Sequence, residues 1–174
     1  MSTDRLLQEV EAARSALVAY LEPMEPEDAH TPIGEGRWSP IEYLEHLVRA
    51  EEATVWRMFK AVEDERRGLL GPRSSTPGDT IEQVVERTWE EREEAPPLAV
   101  PRLGGAMSYW LERMKRNTDL LSRFASMVRE EELDVFAYEH PISGPFTLRQ
   151  GIDFVRFHID RHHAHLREAL GTKK

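Results

Sequence analysis

The stretch WSPIEYLEHL at positions 38–47 contains the sharpest helix-start signal in the chain. Ser39 is a good N-cap residue, Pro40 suits the first helical position because it lacks a backbone N–H, and Glu42 can close a capping box. Hydrophobic residues then recur at spacings of three and four, as they do along one face of an amphipathic helix. We therefore predict a helix from Pro40 to about Arg66, where a glycine-containing segment follows.

Three more segments show helical periodicity of their hydrophobic residues. The last of them begins with another N-terminal box, formed by Thr147 and Gln150. Asp79 and Glu82 offer a weaker box for a short accessory helix between the second and third long helices, which Pro96 would end. The three further long helices are predicted over Leu6 to Tyr20, Met107 to Val128 and Leu148 to Leu170.

The order of these elements predicts an all-α fold. No segment alternates hydrophobic and polar residues between turn signals, so we predict no β-strand. Four long helices with long connections favour a four-helix bundle with one short accessory helix, in an order that is not plain up-down-up-down. The length of 174 residues fits a single domain over residues 1–174.

Composition excludes several classes of protein. The net charge of -9 argues against DNA or RNA as a partner, because an acidic surface repels phosphates. The chain contains no cysteine, so any metal must be bound by nitrogen or oxygen atoms. The N-terminus lacks the uninterrupted apolar segment of a signal peptide, and no apolar run approaches the roughly 20 residues of a membrane span. We therefore expect a cytoplasmic protein with no membrane partner.

Histidines cluster in the predicted last helix, between positions 158 and 165. His158 and His162 are four residues apart, so their side chains point the same way and can share one metal ion. His46 lies next to hydrophobic positions of the second long helix, and bundles build metal sites from facing helices, so it can supply a third ligand. The HxxxH spacing also occurs where half-buried histidines only form hydrogen bonds, so spacing alone leaves both interpretations open.

The other polar residues receive simpler interpretations. His165 continues the helix stripe of the HxxxH pair and His163 points to another face, so we expect solvated residues or neighbours of a ligand. His30 and His140 lie in predicted loops. Glu42 and Arg161 could orient ligands or substrate, but we predict surface salt bridges for both. We predict solvated helix faces for the acidic segments Glu51–Glu52, Glu90–Glu94 and Glu130–Glu132. HExxH and the paired motifs of di-iron bundles are absent, which favours a mononuclear site.

Three pieces of the sequence together resemble the DinB/YfiT family of small metal-binding helical bundles. The first is the helix start at 38–47, where a histidine follows the tryptophan by eight residues. The second is the segment 140–148, with a His-Pro pair and a glycine turn, and the third is the last helix over 157–166, with the HxxxH pair. The combination extends over residues 1–171 and is far more specific than any single piece.

This resemblance implies a four-helix bundle in which His46, His158 and His162 bind a divalent metal ion, commonly zinc or nickel. It implies a metal-dependent enzyme for a small-molecule substrate, either a hydrolase or an S-transferase with a thiol cosubstrate, and a homodimer as a candidate assembly. Two alternatives stay open: a non-catalytic, stress-associated metal-binding or interaction protein with a structural metal, or a metal-free bundle that dimerises through an apolar face. An open coordination position would distinguish an enzyme from a structural metal site.

Overall fold

Four long helices form the protein, as the hydrophobic periodicity predicts. The computed structural model describes residues 2–69, 78–89 and 95–171. None of the helices in these ranges is long and apolar enough to cross a membrane. The helices are α1 (Thr3–Leu21), α2 (Pro26–His30), α3 (Pro40–Arg66), α4 (Ile81–Thr88), α5 (Met107–Met127) and α6 (Leu148–Gly171), with a 3₁₀ turn at Glu130–Glu132 and strands β1 (Ala137–His140) and β2 (Gly144–Thr147).

The capping signals place two helix starts correctly and one a residue early. At α3 the Ser39 backbone N–H donates to the Glu42 carboxylate at 2.7 Å, and Pro40 occupies the first helical position. The box of Thr147 and Gln150 precedes α6 as predicted. The predicted box of Asp79 and Glu82 is wrong, because the cap of α4 is formed by the next pair along the chain, Thr80 and Gln83, at 2.9 Å and 3.3 Å.

The bundle does not place consecutive long helices side by side. The main neighbours of α1 are α5 and α6, and the main bundle neighbours of α3 are the same two helices. The first two long helices of the sequence therefore lie across the bundle from each other, so the predicted departure from simple up-down-up-down order is confirmed. The core between them contains large buried side chains from all four long helices, among them Leu17, Leu44, Met58, Trp110, Phe124 and Ile152.

A short β-hairpin precedes α6, so the prediction of no strand is wrong. Strands β1 and β2 pair antiparallel, with Ala137 opposite Thr147 and His140 opposite Gly144. Each strand has only four residues, too few for an alternating pattern to emerge from the sequence. Gly144 has a φ of 73°, a conformation that favours glycine. The hairpin matters for function because it brings the His140 side chain into the protein interior.

Two of the acidic residues predicted to be solvated are buried instead. Glu51 is 4% exposed and accepts hydrogen bonds from Arg14 of α1 at 2.5 Å and from Asn117 of α5 at 3.1 Å. Glu132 is 2% exposed and pairs with Arg66 at 2.6 Å. Both carboxylates are buried because an arginine from another part of the chain compensates their charge. Glu130 and Glu131 are exposed as predicted, Glu52 is half-buried, and Glu90–Glu94 lie outside the described residues.

Candidate metal centre

Three histidines from two adjacent helices converge inside the bundle. His46 lies near the start of α3, and His158 and His162 lie one turn apart in α6. The Nε2 atom of His158 is 3.1 Å from that of His46 and 3.0 Å from that of His162. One nitrogen from each ring lies within 4.8 Å of the other two. The sequence analysis selected these same three residues, and the packing of α3 against α6 brings them together.

The His46 ring is fixed in the tautomer that metal binding requires. Its Nδ1 atom is 2.8 Å from the backbone carbonyl oxygen of Ala99. Because a carbonyl oxygen only accepts hydrogen bonds, Nδ1 carries the proton and donates it, which leaves a free lone pair on Nε2. That lone pair faces the Nε2 atom of His158. The loop before α5 therefore orients His46 toward the other two histidines.

The chemistry of this donor set fits a divalent metal ion. Two imidazoles that share an ion at about 2.0–2.1 Å per bond must have their nitrogens within about 4.2 Å of each other. Both Nε2 separations of His158 meet this requirement. A proton on one nitrogen can satisfy only one neighbouring lone pair, whereas an ion can accept a lone pair from each ring. The residues present therefore suit zinc, nickel or a similar ion that prefers imidazole ligands.

The environment keeps the three imidazoles neutral. Burial lowers the pKa of His46, and the nearby charge of Arg49 lowers it further. Burial also holds the pKa values of His158 and His162 well below the usual range, and the charge of Arg161 acts in the same direction. Neutral imidazoles bind a metal ion without first losing a proton, so protons would not compete with a metal cation for these nitrogens near pH 7.

A cavity of about 630 Å³ opens next to the three histidines. Its size lies within the range of pockets that bind small molecules. Aromatic side chains from several elements form part of its wall, and His46, His158 and His162 also line it. The described residues that line it include Trp38, Tyr43, His46, Thr54, Arg57, Trp89, His140, Phe154, His158, Arg161, His162 and His165.

Comparison with known proteins agrees with this architecture. The sequence profile of the DinB superfamily matches residues 9–166. The chain belongs to the DinB superfamily. No curated protein matches it in sequence.

Two solved structures are similar to this DinB superfamily chain. TT2238, a four-helix bundle protein, is 17% identical with a TM-score of 0.64, over 96% of this chain and 99% of that one. YfiT from Bacillus subtilis is 18% identical with a TM-score of 0.63, over 97% of this chain and 87% of that one. YfiT is described as a probable metal-dependent hydrolase with an unusual four-helix bundle topology. At these identities the likeness establishes the fold.

The remaining histidines of this DinB protein differ in their distance from the centre. His165 is half-buried, its ring centroid lies 5.7 Å from that of His162, and it lines the cavity without joining the cluster of three. His163 packs against Tyr20 of α1, with ring centroids 5.2 Å apart. His30 is exposed at the end of α2.

The sequence predicts a loop at His140, and this prediction is wrong. His140 is a buried residue of β1. Its ring stacks on Phe146 at 4.6 Å and also contacts Phe154, whose ring stacks on His158. The His140 Nδ1 atom accepts the backbone N–H of Ser143 at 3.2 Å, which leaves the proton on Nε2. Burial lowers the pKa of His140 to about 3, so this histidine is neutral in the folded protein.

Glu45 is a buried residue at this centre that the sequence analysis does not identify. Its carboxylate is fully buried and accepts backbone N–H groups from Arg102 at 2.7 Å, Leu103 at 3.0 Å and Gly104 at 2.9 Å. Arg49 bridges Glu45 and the carbonyl oxygen of Val100, so α3 holds the loop that orients His46. The sequence gives one signal that Glu45 is buried: it lies four residues after the core residue Ile41, on the same face of the helix.

Among residues 2–69, 78–89 and 95–171, Glu42 and Arg161 do not form the surface salt bridges that the sequence predicts. The Glu42 carboxylate accepts the backbone N–H and the hydroxyl of Ser39, so its role is to cap α3. The Arg161 guanidinium lies 5.2 Å from the ring centroid of Trp89 at the wall of the cavity. This arrangement is typical of a cation–π contact, and the Arg161 guanidinium forms no ion pair within the described part of the chain.

Proposed function

We propose that this protein is a metal-dependent enzyme in which His46, His158 and His162 bind one divalent ion, zinc or nickel. The observation that supports it most directly is the convergence of three neutral imidazoles, one of them fixed in the metal-binding tautomer by Ala99, at the wall of a cavity. Membership of the DinB superfamily and the description of YfiT as a probable metal-dependent hydrolase agree with this assignment.

The number of protein ligands favours catalysis over a structural metal. Structural zinc sites are almost always closed by four protein ligands, whereas catalytic sites use three and keep a position open. Within residues 2–69, 78–89 and 95–171, the cluster of candidate ligand atoms contains three side chains and no more. The cavity beside them gives a small molecule access to the fourth position.

Several residues around the three histidines have separate roles in such an enzyme. A divalent ion in this site would act as a Lewis acid on an electrophilic substrate group. Trp38 and Phe154 shield the histidines, since their rings lie 4.9 Å from that of His46 and 5.2 Å from that of His158. Ala99 orients His46, and Glu45 holds the loop that contains Ala99. Hydrolysis of an ester or amide is the reaction that we propose.

Metal content and turnover test this proposal separately. We expect one zinc or nickel ion per chain in the purified protein by elemental analysis, and its loss in His158→Ala. His163→Ala is the matched control, because it removes a histidine from the same helix. The His163 side chain packs against Tyr20 of α1 and not against the three clustered histidines. Stoichiometric metal in His158→Ala would refute the ligand assignment.

The metal-loaded protein should hydrolyse members of an ester and amide panel, and His158→Ala should lose that activity. A parallel panel of electrophiles with thiol cosubstrates tests transfer to sulfur in place of hydrolysis. A fully loaded protein that turns over neither panel, with a fourth protein ligand on the ion, would refute the enzyme and leave a structural metal site.

A further inference from the structure

The described residues that line the cavity beside the histidines carry a net positive charge although the chain is acidic. The chain has a net charge of -9, yet the described residues that line the cavity include three arginines and no aspartate or glutamate. These residues are Arg37, Arg57 and Arg161. Low-dielectric walls concentrate the field of such charges inside a cleft, so the cavity attracts anions.

Within the described ranges, the three arginines also lack the carboxylate partners that most other arginines of this protein have. Arg14, Arg66 and Arg156 all form ion pairs with carboxylates at 2.5–2.6 Å. By contrast, Arg37, Arg57 and Arg161 form no ion pair with any residue in the described ranges, and the contact of Arg161 is with the Trp89 ring. Each guanidinium has five N–H donors and no acceptor, so an unpaired one beside a cavity can bind a carboxylate or phosphate.

The arginines approach the histidines from three different elements. Arg37 precedes α3, Arg57 lies in α3 and Arg161 lies in α6. All three line the same cavity as the histidines, and Arg161 directly precedes His162 in α6. A molecule bound within their reach therefore also lies close to the proposed metal ligands.

We propose that the cavity binds a small organic anion, whose carboxylate or phosphate group is held by Arg57 and Arg161 while its apolar part lies against Trp38 and Trp89. The cavity wall provides both kinds of contact, charged and apolar, because apolar side chains such as Leu98 and Ile142 line it together with the arginines. For the reaction itself this inference rests on the proposed function, but binding of the anion is a separate property of the arginines.

Matched probe pairs test the preference for anions. The metal-loaded protein is titrated with 4-phenylbutyrate and its neutral amide, and with phenyl phosphate and phenol. Tryptophan fluorescence follows binding, because Trp38 and Trp89, two of the four tryptophans, line the cavity. We expect each anion to bind at least about tenfold more tightly than its neutral partner, as charge-assisted hydrogen bonds to arginine imply. Binding of the anions should weaken as NaCl is raised.

Substitutions then assign the preference to the arginines. Arg57→Gln and Arg161→Gln should each lower the affinity for the anions about tenfold and leave that for the neutral probes unchanged. Arg123→Gln is the control. Arg123 is exposed on α5, so this substitution removes the same charge outside the cavity. Thermal melting of each variant verifies that the fold is retained.

Two results would overturn this inference. If the anionic and neutral probes bind with equal affinity, or if neither anion binds, the cavity does not select anions. A preference that survives in the double variant Arg57→Gln/Arg161→Gln shows that the metal ion, and not the arginines, binds the anion. Metal content measured on the same samples distinguishes these failures from failure of the proposed function, since a metal-free wild type refutes the metal site whichever probe binds.

Discussion

Substitution of Glu45 by glutamine tests whether a buried carboxylate that is not itself one of the three histidine ligands sets the geometry of the centre. In the wild type, bonds from three consecutive backbone N–H groups and from Arg49 overcome the effect of burial and lower the pKa of Glu45, so it is charged. Glutamine keeps one acceptor oxygen but places an NH₂ group where Oε2 accepts the Gly104 N–H at 2.9 Å.

The expected cost follows from these contacts. One buried N–H group loses its acceptor, which costs about 1–3 kcal/mol, and the remaining bonds lose the charge that strengthens them. We expect a loss of about 3 kcal/mol in the free energy of unfolding, or about 6–12 °C in Tm for a domain of this size. The loop that contains Ala99 should loosen, and affinity for zinc should fall about tenfold because His46 is less well oriented.

Two measurements and one control variant decide the outcome. Thermal denaturation gives Tm, and competition with a chelator of known affinity gives the zinc affinity. Glu63→Gln removes a charge from the same helix, but Glu63 is exposed and pairs only with exposed Arg67, so its Tm should change by no more than about 2 °C. If Glu45→Gln matches this control in both measurements, the loop does not depend on Glu45 and the reasoning fails.

Three further predictions concern stability, each measured by urea denaturation. Gly151→Ala should destabilise the protein by about 1–3 kcal/mol, because the added Cβ would lie 2.6 Å from the Tyr138 ring; an unchanged midpoint would contradict this contact. Glu51→Gln should cost about 1–3 kcal/mol because buried Arg14 loses one of its two carboxylate partners and keeps only its ion pair with Glu11, and an Arg14→Met/Glu51→Leu double variant should recover most of the loss. His140 takes up a proton below pH 6.5 in the unfolded chain but only near pH 3 when folded, so stability falls as pH drops below 6.5. Between pH 7 and pH 5 it should contribute about 2 kcal/mol to that fall, and His140→Gln should show a correspondingly shallower pH dependence.

Local signals in the sequence account for most of the fold. The four long helices begin and end close to the predicted positions, since periodicity and capping depend on residues within one or two turns of each other. The HxxxH pair is local in the same sense, because a helix alone places His158 and His162 on one face. The third histidine needed the family resemblance. Expectations about the single domain, the cellular location and a homodimer stay predictions.

Most buried charges could not be predicted from the sequence because they depend on contacts between distant parts of the chain. Glu51 looked like a solvated residue because its partner Arg14 lies 37 positions away, on another helix. The hairpin that buries His140 is formed by two strands too short to show their own pattern.

The sequence by itself thus determined the long helices, two of their caps and the HxxxH pair, because these follow from neighbours along the chain. Only the tertiary structure decided which charges are buried, how Glu45 holds the loop beside His46, and that three arginines with no ion pair among the described residues share one cavity with the histidines. The physical reason is that burial and charge compensation depend on the whole surroundings of a side chain, which chain folding assembles from distant segments.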